Sequence, residues 1–107
     1  MKRALTAAAL LVALAVPGSA VARSVTVVRI RDIEFNPVTV RVHRGDSVTW
    51  RWLDGTTPHN VTSRGKQRFR SSSTRQRGAY TVRFTRAGTY RYVCTIHFTM
   101  KAKVVVS

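Results

Sequence analysis

Three stretches of this chain alternate apolar and polar residues with a period of two. Val38, Val40 and Val42 alternate with Thr39, Arg41 and His43; Val48, Trp50 and Trp52 alternate with Thr49 and Arg51; Tyr80, Val82 and Phe84 alternate with Thr81, Arg83 and Thr85. Successive side chains of a strand point to opposite faces, so this parity describes strands with one face buried and one in water. No segment carries a convincing helical period. Asn36-Pro37, Arg44-Gly45-Asp46, Asp54-Gly55 and Ala87-Gly88 supply turns between the strands. Pro58 cannot donate to a ladder, so a strand over His59 to Ser63 is expected to begin at an edge or a loop mouth. The opening strand, about Ser24 to Arg31, alternates less cleanly and is expected at a sheet edge or paired with both sheets. The last runs from about Lys101 to Val106, with Ala102, Val104 and Val106 inward. Gly65 to Gly78, with Phe69 as its single large apolar side chain, reads as a strand stub followed by a mobile loop. Seven or eight short strands without a helix predict an all-β sandwich with Greek-key connections.

Residues 1–22 stand apart from this pattern. Lys2 and Arg3 precede a weakly apolar stretch from Leu5 to Val16, and Pro17-Gly18-Ser19-Ala20-Val21-Ala22 ends in an Ala-x-Ala-like site. These are the parts of a secretory signal peptide, too short in its apolar part to span a bilayer. Residues 23–107 then form one exported domain, periplasmic or extracellular, with no further membrane-spanning candidate. A domain this small buries only about 60% of its unfolded surface. Exported domains of the kind often add disulfides, but Cys94 is the only cysteine. A leftover cysteine is an intermolecular partner, a reactive thiol or a metal ligand, and a bound ion would itself stabilise the native state.

Cys94-Thr95-Ile96-His97-Phe98-Thr99-Met100 points to the third. It places a thiolate, an imidazole and a thioether within seven residues. Tyr90, Tyr92 and Cys94 share the inward parity, and Cys-x-x-His needs only a tight turn to bring His97 back to the same point, with Met100 returning after it. Singly, a strand cysteine is a small buried hydrophobe and a methionine is core filler; the joint spacing favours metal. Two His, one Cys and a weak axial Met is the pattern of electron-transfer copper sites. The missing imidazole is assigned to His59, which shares parity with Val61, rather than to His43, which lies on the outward parity with Thr39 and Arg41. Zinc is the competing ion, but structural zinc sites use Cys and His in fours.

The formal charge is +15, and falls to +13 without Lys2 and Arg3. Such an excess speeds encounters with acidic partners. A dedicated nucleic-acid site would interleave aromatics with the charge, whereas here the aromatics keep to the inward parity. No specific nucleic-acid binding is expected.

The residues resemble those of the small cupredoxins, the type 1 blue copper proteins, and within them the amicyanins and plastocyanins. The resemblance runs through Phe35-Asn36-Pro37, Gly45 to Trp50, Pro58-His59-Asn60-Val61-Thr62-Ser63, Gly88 to His97, and Met100 through Val106. Two residues between His97 and Met100 is the amicyanin spacing. The resemblance implies His59, Cys94 and His97 as equatorial ligands of one copper ion and Met100 as the long axial one. It further implies that the Asn60 amide bonds the Cys94 sulfur while its side chain ties the two ligand loops together near Thr95. The exposed edge of His97 would be the electron port, within an apolar patch of Pro58, Ile96 and Phe98.

Four positions depart from the pattern. Val93 replaces an exposed Tyr that serves a second port in plant plastocyanins, Ile96 stands where amicyanin has Pro, and Ala102 where Gly is common. The Ser71 to Thr74 loop lacks the usual apolar anchor. The expected function is single-electron transfer by a monomer between redox partners with acidic docking surfaces. A copper carrier or buffer with the same ligands is the alternative. An enzyme is not expected, since three His cannot build a second copper centre.

Overall fold

A computed structural model of the chain describes residues 23–107; the signal-peptide assignment lies outside them. The described residues form eight strands: β1 (Val25–Arg31), β2 (Glu34–Asn36), β3 (Thr39–Val42), β4 (Ser47–Trp52), β5 (Thr62–Arg64), β6 (Ala79–Arg83), β7 (Gly88–Val93) and β8 (Lys101–Val106). They make two four-stranded sheets, ordered β2-β1-β4-β6 and β3-β8-β7-β5. Within each sheet one pair is parallel, β1 with β4 and β3 with β8, and the other pairs are antiparallel. The predicted all-β sandwich is therefore the observed one. Among the described residues no helix is long and apolar enough to cross a membrane.

The core lies where the parity puts it, with Val48, Trp50 and Trp52 on one sheet facing Tyr90, Tyr92, Ala102, Val104 and Val106 on the other, all buried. Aromatic rings fill its centre. Tyr92 meets Trp50 edge-on at 5.3 Å and Phe35 at 4.8 Å, favoured arrangements for ring quadrupoles. Burial pushes the Tyr92 hydroxyl well above its ordinary pKa, so it stays neutral.

Three expectations are corrected. Val38 is exposed, because β3 begins at Thr39. β1 lies inside its sheet rather than at an edge, since the short strand β2 covers its free side and buries Phe35. The Gly65 to Gly78 segment is anchored rather than loose. Phe69 stacks on Trp50 at 5.6 Å and meets Phe84 at 5.5 Å, supplying the apolar anchor that the serine-rich stretch lacks. The serines then take the place of a strand partner: Val61 N–H donates to Ser72 Oγ, Ser63 N–H to Ser71 Oγ, and Phe69 N–H to Ser63 Oγ. β5 is accordingly an edge strand with part of its free side satisfied by hydroxyls.

Candidate metal centre

Two loops at one end of the sandwich converge. In the first, His59 is clamped from several sides. Its backbone exchanges both hydrogen bonds with Arg75, at 3.0 Å each, and its carbonyl accepts Trp52 Nε1–H at 2.9 Å. Its ring is wholly buried, with Nε2 2.7 Å from Asp54 Oδ2. That carboxylate also accepts the amides of Asp32 and Ile33. Burial alone would raise the Asp54 pKa, but the hydrogen bonds from His59, Ile33 and Asp32 outweigh it and hold it below the usual carboxylate range. A carboxylate on one ring nitrogen fixes which nitrogen carries the proton. His59 Nδ1 is left with its lone pair, facing Cys94.

The second loop follows β7. Cys94 N–H donates to the Met100 carbonyl at 3.1 Å and Met100 N–H to the His97 carbonyl at 2.9 Å, closing the turn. Cys94 Sγ lies 4.0 Å from His59 Nδ1 and 3.6 Å from His97 Nδ1. The three donor atoms all fall within 4.8 Å of one another. A first-row ion bonded to sulfur at about 2.3 Å and nitrogen at about 2.0 Å, with angles between tetrahedral and trigonal, holds sulfur roughly 3.5–3.7 Å from each nitrogen. His97 Nδ1 already stands at that separation and His59 Nδ1 a few tenths of an ångström beyond it. The spacing therefore suits one shared ion. Met100 is buried beside them in the chain, at 2% exposure, and His97 is half-buried. His43 is exposed and pairs with Ser107 Oγ at the far end.

Asn60 hydrogen-bonds across from the first loop to the second. Its Nδ2 donates to Thr95 Oγ1 at 2.7 Å, and its Oδ1 accepts Thr95 N–H at 3.0 Å; Nδ2 also reaches Thr74 Oγ1. Among the described residues no hydrogen bond joins the Asn60 amide to Cys94 Sγ; the sulfur's polar neighbours are the two ring nitrogens. Sequence reasoning missed Asp54 and Trp52. Both lie in the stretch just before His59, and the turn that folds them back onto it leaves no mark in the period-two pattern.

Residues 22–107 match the family described as copper binding proteins, plastocyanin/azurin family. The chain belongs to that family. Copper is the ion this donor set serves, since a thiolate and two imidazoles beside a buried thioether combine the soft and borderline ligands that copper prefers. The chain is similar to amicyanin-alpha of Methylorubrum extorquens, 36% identical over 85 residues covering 76% of this chain and 71% of that protein. Amicyanin of Paracoccus denitrificans is 37% identical over 90 residues, covering 80% and 68%. A solved amicyanin variant in its Cu(I) form superposes with a TM-score of 0.66 at 34% identity, covering 78% of this chain and 82% of its own.

Proposed function

We propose that this protein is an exported, monomeric blue copper carrier of single electrons, with His59, Cys94 and His97 as equatorial ligands and Met100 as the axial one. The observation that carries the reading is the convergence of Cys94 Sγ with His59 Nδ1 and His97 Nδ1 at 4.0 and 3.6 Å. Copper supplies the Cu(II)/Cu(I) couple. The chain's part is to hold the donors still through both states. Asp54 and the Arg75 backbone fix His59, the Met100 and His97 carbonyls close the second loop, and Asn60 locks one loop to the other. Donors that cannot relax toward either state's preferred geometry lower the rearrangement accompanying transfer. His97 alone among the equatorial donors reaches solvent, with exposed Ile96 and Phe98 on either side of it in the chain, and serves as the electron port. Delivery of the metal itself fits less well, because hand-off needs exposed donors, whereas His59 is 0% and Cys94 1% exposed. Residues 1–22 direct the chain to the periplasm or outside the cell. Its partners carry acidic surfaces complementary to the excess of Lys and Arg.

Copper-loaded protein is expected to show intense thiolate-derived colour that bleaches with one electron equivalent and returns on reoxidation. Cys94→Ser should abolish the colour. A colourless wild-type complex, or colour that survives loss of Cys94, would contradict the reading.

A further inference from the structure

The outer face of the β3-β8-β7-β5 sheet carries a row of cations that its own stability disfavours. The register sets Arg64 of β5 opposite Arg91 of β7, and Arg91 opposite Lys103 of β8. Lys101 lies one outward position away, opposite Val93. Like charges directly across a ladder repel. Among the described residues none of the four forms an ion pair, and the Arg–carboxylate pair present is Arg31 with Asp32 elsewhere.

The surface here is concave. Arg64, Arg91, Lys101 and Lys103 line an open hollow of about 410 Å³ floored by Val93 and its neighbours. A second hollow of about 250 Å³ shares Arg64, Val93 and Lys101 with the first and continues to Thr95, Phe98 and Cys94. One groove thus runs from the cationic row to the wall of the metal centre.

We propose that this groove docks a carboxylate-rich face of a redox partner protein. The inference rests on the electron-transfer reading and adds a place to it, distinct from the His97 edge. Charge complementarity selects the occupant: four unpaired cations surround a half-buried valine, a polar rim about an apolar floor as in protein interfaces. The seat lies one residue from the thiolate, since Val93 precedes Cys94. Carboxylates seated along the row would offset the cationic repulsion across the strands.

The test uses hexaglutamate as probe on ¹⁵N-labelled Cu(I) protein, followed by amide shifts at low salt. Shifts are expected to concentrate on β5, β7 and β8 outward residues and on Thr95, and to fade as salt screens the contact. The pair Arg64→Glu with Lys101→Glu should weaken binding at least about tenfold, because two exposed attractive contacts are lost and replaced by repulsive ones. Arg44→Glu with Arg86→Glu, at the opposite end and with the same charge change, should not. Equal weakening by both pairs, or shifts spread over every arginine, would overturn the site. A heparin oligosaccharide that displaces the peptide at lower concentration would overturn the choice of a protein partner in favour of a polyanion. Peptide binding is read without the copper colour, so failure of the groove and failure of the electron-transfer reading are separable.

Discussion

Asp54 shows how far a single side chain reaches. It accepts two amides of the β1–β2 turn and the ring of His59, so the turn, the carboxylate and the ligand form one unit. Asp54→Ala leaves the ring without its orienting partner, and copper affinity is expected to fall roughly 10–100-fold; His43→Ala should leave it unchanged, both checked by competition with a copper chelator. Asp46 acts at the opposite end. The amides of Ser24 and His43 hold its carboxyl below the ordinary range. A carboxyl lowered in the folded state contributes stability that is complete above its unfolded pKa, near 3.9, and disappears as pH falls through the folded value. The thermal midpoint of the wild type should therefore drop more steeply below about pH 4 than that of Asp46→Asn. The convergence of Cys94, His97 and His59 was legible in the sequence because Cys94 and His97 are neighbours along it and His59 shares the inward parity of Val61, although β5 begins only at Thr62 and His59 makes an isolated bridge to Arg75. Asp54 was not, because its role depends on a turn closing over distance.

Among elements, the segment after β5 differs most from its sequence. Its serines and arginines suggested mobility, yet Phe69 enters the aromatic cluster and the hydroxyls bond the free amides of Val61 and Ser63. Composition registers polarity but not which hydroxyls face an unpaired strand edge. Phe69→Ala should cost about 3 kcal/mol, toward the lower end for a buried phenylalanine because Phe69 is half-buried, measured by denaturant unfolding. Ser72→Ala should instead leave global stability nearly intact while the Val61 amide exchanges faster, a local effect that hydrogen exchange reads. The β1–β2 hairpin was hidden for a related reason. Asp32 and Ile33 both adopt positive φ, 53° and 55°, in the manner of a type I′ turn, but without the Asn-Gly pair that announces one. The Asp54 carboxylate, bonded to both amides, holds a β-branched residue where it is rarely found.

For the whole molecule, alternation fixes which residues face inward, and the inward set fixes a sandwich whose one end must close with loops. At that end the chain gathers a thiolate and two imidazoles, against a background of cations. X-ray absorption at the copper edge of the oxidised protein tests this arrangement most directly. The account predicts one short sulfur neighbour, near or below the roughly 2.3 Å of a zinc–thiolate bond, and two nitrogen neighbours near 2.0 Å, with the sulfur lost in Cys94→Ser. A copper ion surrounded by nitrogen and oxygen alone in the wild type would contradict it.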